Sequence, residues 1–374
     1  MIYFDNSATG GFKPRSVTDA VDTVIRYLTA NPGRSGHRLS VAGAKIVENC
    51  RSTLSVMFGY PQERVVFTKN CTEALNLAIF GTLKLGGHVI TTIYEHNSVL
   101  RPLFALKNKG LIELDVLSPE PDKPLACSIK DKIKHNTYLI VSTALSNVTG
   151  YELPVQEIGK VAKENGLLYL IDGAQGGGHV PLLLEDTNAN MIALAGHKGL
   201  YGIMGCGALL FDTSVNPEPL IYGGTGSESL NLNQPQTFPE SLEAGTLNLP
   251  AISALNEGAK YAYENINNFG IHLLASTQKL IDGVSNIKGV KCFSTPNRAG
   301  ICSLKVDRLP SNEVADILNS EYDVAVRGGL HCAPLIHKFL QTDSEGLLRV
   351  SLAVQNSTRE INYFISALEK IANP

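Results

Sequence analysis

The sequence predicts an α/β protein built on a mostly parallel sheet, and three observations carry that prediction. Short apolar runs alternate with helical stretches for roughly 200 residues, a pattern that calls for parallel strands with helices on both faces. Two of the runs, Leu167 to Ile171 and Met191 to Ala195, are too short for helices and lead to Asp172 and Lys198. The later part of the chain changes character and alternates like half-exposed strands. At 374 residues the chain exceeds one typical domain. We expect a large α/β domain over 14–250 and a smaller α+β domain over 251–374, joined by the N-terminal arm 1–13.

Each element has a local reason. Residues 1–13 read as an extended arm ending in the turn-prone Asn6-Ser7-Ala8-Thr9-Gly10-Gly11. Pro14 opens a helix with Val17, Val21, Val24, Ile25 and Leu28 at helical spacing, stopped by Asn31-Pro32-Gly33. Gly33-Arg34-Ser35-Gly36-His37-Arg38 is a polar loop, and a second helix runs from about Ser40 to Phe58. Arg64–Thr68 is a strand, and the helix that starts near Glu73 places free N–H groups at an anion-ready N-terminus. Thr72 is read there as an N-cap or a phosphate contact, two roles with the same physics.

Strands at His88–Ile93, Ile112–Leu117 and Tyr138–Ser142 follow, separated by a helix to about Lys109 and a proline-rich turn at 119–124. Pro154 opens a helix that Asn165-Gly166 stops. Ala208–Phe211 reads as a strand of opposite direction near the sheet edge. The segment from Tyr222-Gly223-Gly224-Thr225-Gly226-Ser227 to Thr246 is a long loop without periodicity, a type that is often functional. Helices near 250–268 and 271–284, strands at Val290–Phe293 and Ile301–Val306, and helices at Asn312–Asn319 and Thr358–Ile371 complete the chain. Ser357-Thr358-Arg359-Glu360 forms a capping box for the last helix.

Composition narrows the function. A formal charge of −3 with no Lys/Arg-dense run argues against a nucleic-acid surface. No apolar stretch reaches membrane-spanning length, and the N-terminus carries no secretory pattern. The seven cysteines are scattered without a C-x-x-C, which fits neither a disulfide framework nor a zinc site; no metal is expected, and a reducing cytoplasm is.

In open α/β sheets ligands bind beyond the carboxyl ends of the strands. An acid (Asp172) and a lysine (Lys198) there suit a pyridine-aldehyde cofactor. The lysine forms an imine, and the acid keeps the ring nitrogen protonated so that the ring takes electrons. A structural ion pair at a loop rim is the other reading of those two residues alone.

Further motifs extend the pattern: Thr72-Glu73-Ala74-Leu75-Asn76, Glu95-His96, His197-Lys198, and Arg327 followed by His331-Cys332-Ala333-Pro334. With these the chain resembles the class V aminotransferase-fold, pyridoxal-phosphate-dependent cysteine desulfurases, closest to the group that includes selenocysteine lyases. The resemblance runs from Asp5-Asn6-Ser7-Ala8 to Arg349-Val350-Ser351-Leu352. It implies the fold type I of pyridoxal-phosphate-dependent transferases, with a seven-stranded type of sheet.

It also implies roles. Lys198 would hold pyridoxal 5'-phosphate as an imine, Asp172 would pair with the ring nitrogen, and Gln175 would donate to the phenolic oxygen. His96 would stack on the ring and move protons. The Cys71 amide, Thr72 and His197 would hold the phosphate, and Thr246 would reach the phosphate of a second subunit in a homodimer with shared sites. Asn147 and Arg349 would bind the substrate carboxylate, with Arg327 as a second active-site arginine and His37 lining the site.

Cys332 would be the nucleophile that takes sulfur from L-cysteine as a persulfide, releasing L-alanine. Positive neighbours favour a thiolate, and the sequence offers His331 and Arg327 as those neighbours. The other six cysteines are read as small, inert hydrophobes. Selenocysteine lyase activity, or an aminotransferase or epimerase in which Cys332 is not the nucleophile, are the alternative reactions. Ala195 stands where relatives place a phosphate-binding serine, Asn97 where they have a second histidine, Gly199 where a bulky residue follows the lysine, and Gly329-Leu330 in place of Gly-His. The compact cysteine segment implies a separate sulfur-acceptor protein.

Overall fold

In a computed structural model that describes residues 1–33, 35–226 and 230–373, the alternation resolves into β1 (Ile2–Tyr3), α1 (Arg15–Tyr27), α2 (Arg38–Phe58), β2 (Val65–Thr68), α3 (Cys71–Gly81), β3 (Gly87–Thr92), α4 (Asn97–Asn108) and β4 (Ile112–Leu117). Next come α5 (Leu125–Asp131), β5 (Thr137–Thr143), α6 (Val155–Glu164), β6 (Leu168–Asp172), α7 (Leu184–Thr187), β7 (Met191–Ala195) and β8 (Gly207–Phe211). The remainder is α8 (Leu249–Ser285), β9 (Val290–Cys292), β10 (Ile301–Val306), α9 (Ser311–Tyr322), β11 (Val324–Ala325), α10 (Pro334–Leu340), β12 (Leu348–Ser351) and α11 (Thr358–Ala372). Arg34 of the polar loop and Ser227 of the long loop lie outside the described residues.

Seven strands form one sheet in the order β2-β8-β7-β6-β5-β3-β4. The β4-β3-β5-β6-β7 run is parallel, and β8 is antiparallel to both β7 and β2. The expected reversed strand is thus present, one place in from the edge, with β2 outside it. Strands β3, β5 and β7 are buried along their whole length, as a sheet covered on both faces demands. One apolar cluster on each face holds it, with Ile140, Tyr169 and Ile192 in one and Leu139, Leu170 and Met191 in the other. Adjacent residues point to opposite faces, so each strand feeds both clusters.

A second, three-stranded antiparallel sheet has the order β12-β10-β9. The arm joins the same region: β1 pairs in parallel with β11, and Asp5 bridges to Ser351. The capping box at Ser357 and Glu360 is formed.

Several local expectations are corrected. The two helices near 250–284 are one 37-residue helix, α8. Gly270 costs an interior helix about 1 kcal/mol, but a Cβ there would meet the Arg298 side chain at 3.2 Å, so close packing occupies the gap instead of a break. Ile25 faces solvent, because α1 buries only the stripe through Val17 and Val24. β10 is almost wholly buried, not half-exposed, because it is the central strand of its sheet.

Candidate active site

The carboxyl ends of β5, β6 and β7 lie side by side, with Thr143 opposite Asp172 and Asp172 opposite Ala193. Asp172 closes β6 and is 2% exposed. Its Oδ1 accepts the Ala174 N–H at 2.9 Å and the Cys71 thiol at 3.6 Å. Beyond β7 the chain turns through Gly196, where a Cβ would sit 2.7 Å from the Cys206 carbonyl oxygen, so only glycine fits. That turn delivers His197 and Lys198.

The first turn of α3 faces the same space. Its N-cap is Asn70, whose side chain accepts the Glu73 N–H, and not Thr72. Thr72 sits within the first turn, two residues after the cap, and shares a 2.8 Å hydrogen bond with Ser98. Ser98 donates its N–H to His96 Nδ1 at 3.1 Å, which makes Nδ1 an acceptor and leaves the neutral ring's proton on Nε2. One cavity is lined by Asp172, Lys198, His96 and Gln175 together with Cys71, Thr72, His197 and Asn147. Ala195 lines it too. His37 lies outside that lining and caps α2, accepting the Ser40 N–H. Thr246 is also outside it and accepts from Asn31 at 3.4 Å.

Burial dominates the electrostatics. It holds the Lys198 ammonium below its usual pKa; Arg349 and Arg327 push the same way, and Asp172 and Cys71 oppose. Burial also lowers His96, and it lowers His197 to about 4 with help from Lys198 and Lys13. Cys71 is raised well above a free thiol, first by burial and then by the Asp172 charge. It therefore stays a protonated donor to that carboxylate, not the inert hydrophobe of the sequence reading. Behind the cavity, burial lifts Glu95 to about 8, and Thr92 donates to its Oε1 at 2.7 Å.

Arg349, Arg327 and Cys332 are also outside that lining, and the C-terminal region meets it through Asn147. Arg349 on β12 is 1% exposed; Nη1 donates to the Asn147 carbonyl oxygen at 3.0 Å and Nη2 to Asp5 Oδ1 at 3.0 Å. Its Nε is buried without a partner. Burial lowers the Arg349 pKa, and Asp5 opposes that shift. Arg327 pairs with Arg349 through both backbone hydrogen bonds, and its side chain is exposed.

Two hydrogen bonds tie the cysteine turn to Asn147 of the cavity lining and to Asn97 next to His96. Asn97, next to His96, donates its N–H to the Cys332 carbonyl oxygen at 2.7 Å. Asn147 Nδ2 donates to the His331 carbonyl oxygen at 2.7 Å. Cys332 is exposed. His331 does not supply a cation beside it: burial, reinforced by Arg349, holds its imidazole neutral far below the usual range. Asp5 and Glu95 stand in the sequence motifs without a role, and Ser98 has none there either. Asp5 has no spacing signal, because its partner lies 344 residues away.

The donor set fits pyridoxal phosphate. A carboxylate and a lysine share the cavity, and the first amides of α3, at Cys71 and Thr72, have no partner within the helix. Gln175 Nε2 gives one N–H to the Ser7 carbonyl oxygen and retains a second, while its Oε1 is buried and unpaired. Among the described residues no group of three or more His, Cys, Asp or Glu side chains gathers as metal ligands, and no helix is long and apolar enough to cross a membrane.

Comparisons with known proteins agree with this geometry. The family model for aminotransferase class-V matches residues 2–364. A probable cysteine desulfurase of Methanothermobacter thermautotrophicus is 31% identical over 385 residues, covering 99% of this chain and 94% of the relative. One from Pyrococcus abyssi is 31% identical with the same coverage. The apo structure of a cysteine desulfurase from Thermococcus onnurineus superposes with a TM-score of 0.90 at 32% identity, covering 99% of this chain and 94% of that one. An Escherichia coli cysteine desulfurase in an S-sulfonic acid form shares the fold, with a TM-score of 0.88 at 22% identity over 98% and 94% of the two chains.

Proposed function

This chain belongs to the class-V aminotransferase family and, within it, to the cysteine desulfurases, and from that premise we propose that it moves sulfur from L-cysteine to Cys332 with pyridoxal 5'-phosphate as cofactor. The observation that carries this reading is the pair of hydrogen bonds from Asn97 and Asn147 that hold the 331–332 turn against the cavity containing Lys198 and Asp172. When bound, the cofactor supplies an aldehyde for the lysine and a ring that accepts the electron pair left at the substrate Cα.

The chain's own residues do the rest. The lowered pKa of Lys198 gives it a neutral amine fraction that takes the Cα proton and returns it. Asp172, held in place by the Ala174 N–H and the Cys71 thiol, would keep the ring nitrogen protonated. His96, with its proton on Nε2, would cover the ring, and the α3 terminus with Thr72 and His197 would hold the phosphate. Arg349, aided by Arg327 and Asn147, binds the substrate carboxylate through its planar fork. Cys332 attacks the substrate sulfur as the C–S bond breaks. L-cysteine and the thiol become L-alanine and a Cys332 persulfide, with all atoms accounted for.

The exposure of Cys332 suits transfer to a separate acceptor protein. Thr246, outside the cavity of its own chain, is assigned to the phosphate of a second copy in a homodimer, and residues 251–374 with the arm to a smaller domain carrying the thiol. The test is to purify the protein, record the cofactor's absorbance band, and measure alanine and sulfide from L-cysteine with and without Cys332→Ala. Loss of both products with the band retained supports the assignment. Undiminished alanine rejects Cys332 as the nucleophile.

A further inference from the structure

The small antiparallel sheet carries a feature that the desulfurase reading does not use. Cys292 ends the edge strand β9, and Cys302 lies in the central strand β10. The register pairs Cys292 with Leu304, so Cys302, two residues along, shares its face as a diagonal neighbour. The two sulfurs are 3.7 Å apart, at van der Waals contact with nothing between them. Neither belongs to the cofactor cavity. We propose that Cys292 and Cys302 form a covalent modification site, a dithiol that a hydroperoxide converts to a cross-strand disulfide.

The environments of the two thiols differ in the way such chemistry requires. Cys292 is partly exposed, and Cys302 is fully buried. The hydrogen bond between the two thiols, with the backbone at Ser294 and Phe293, lowers the Cys292 pKa to about 7 against the opposing effect of burial. Lys291 beside Cys292 faces Lys305 across the strands, Lys305 pairs with Glu345, and Asp307 lies near Gly289 at the end of the same strand pair. Cys302 is raised by the same hydrogen bond and by burial, so it waits as a protonated resolving thiol.

The steps balance. Cys292 thiolate attacks the terminal oxygen of the hydroperoxide ROOH, the O–O bond breaks, and Cys292 becomes a sulfenic acid while RO⁻ leaves, hydroxide in the case of hydrogen peroxide. Cys302 then attacks that sulfur, its proton goes to the departing hydroxide, and water and the disulfide result. Closing from 3.7 Å to a bond of about 2.05 Å asks for a shift of under about 2 Å. β9 accommodates it because, as an edge strand of three residues, it is hydrogen-bonded to β10 alone. Ser303, the residue after Cys302, is the register partner of Arg349, so the bridge would tie the strand next to the carboxylate-binding arginine.

The sequence makes the experiment direct. Cleavage after Lys291, Arg298 and Lys305 puts the two cysteines in separate tryptic peptides, 292–298 and 299–305. The folded full-length Cys332→Ala protein, in which the exposed catalytic thiol does not consume oxidant, is treated with hydrogen peroxide, alkylated and digested without reductant. The expected product is the 292–298/299–305 peptide pair joined by a disulfide, formed ahead of any change at the exposed Cys127 and reversed by dithiothreitol. In Cys302→Ser, a dimedone-trapped sulfenic acid should accumulate at Cys292. Recovery of both peptides as alkylated thiols after Cys127 has oxidised, or absence of the dimedone adduct in Cys302→Ser, would overturn the proposal. Neither readout depends on turnover, so the result stands apart from the desulfurase assignment.

Discussion

The cavity and the cysteine turn tied beside it are built on opposite plans. On one side Asp172, Lys198 and the start of α3 come from the ends of buried strands and from a helix terminus, and burial sets the charge state of Lys198, His197 and Cys71. On the other, Cys332 is exposed on a turn in which His331 and Cys332 both adopt positive φ, 49° and 58°. Left-handed backbone costs a non-glycine residue about 1 kcal/mol or more. The tethers from Asn97 and Asn147, and the contact of His331 Nε2 with the Leu347 carbonyl oxygen at 2.9 Å, hold the turn in that shape. The difference teaches a division of labour under the proposed roles: the groups assigned to proton transfer are desolvated, whereas the thiol assigned to carry sulfur is at the surface.

Substitutions on each side should therefore fail differently. Lys198→Ala should have the largest effect, lowering alanine formation by about 10²–10⁴-fold and altering the absorbance of the added cofactor. Cys332→Ala should cut alanine and sulfide formation on the order of 10²-fold with the cofactor spectrum unchanged. A spectral change in that variant would mean that the two sides are not separable.

Asp5→Asn removes the charge opposite the buried Arg349 and should raise KM for L-cysteine about tenfold, with a smaller change in kcat. Equal losses in kcat and kcat/KM would place the effect in the chemical step and not in carboxylate binding. The smallest effect concerns Glu95. Its folded pKa, raised from 4.5 to about 8, means that the folded state holds a proton the unfolded chain releases, so its contribution to stability is full below about 4.5 and is lost as pH rises to about 8. Glu95→Gln should flatten that decline in thermal unfolding measured across this range. An unchanged slope would assign it to other groups.

Much of this architecture was legible in the sequence because it rests on local signals. The runs at Ile112–Leu117, Met191–Ala195 and Ile301–Val306 are strands with those same bounds. The residues gathered from Cys71 to Lys198 all lie at junctions where an apolar run meets a polar turn. What stayed hidden depends on contacts between distant segments. The neutral state of His331 follows from burial under Arg349 and Leu347, not from its neighbours in sequence. The contact of Cys292 and Cys302 needs the register of two strands, and Asn70 displaces Thr72 as the helix cap by a difference of two residues between equally suitable types.

The arm has a consequence for biosynthesis. The link from Asp5 to Arg349 spans 344 positions, and β1 finds its partner only at β11. Contacts this remote close late and slowly. On a ribosome, the components of the lysine pocket have all emerged once residue 198 is out, while the thiol and the arginine fork follow with the final stretch of translation. On the proposed roles, the chain's own coenzyme contacts up to Lys198 thus precede in translation both Thr246 and the parts assigned to sulfur extraction.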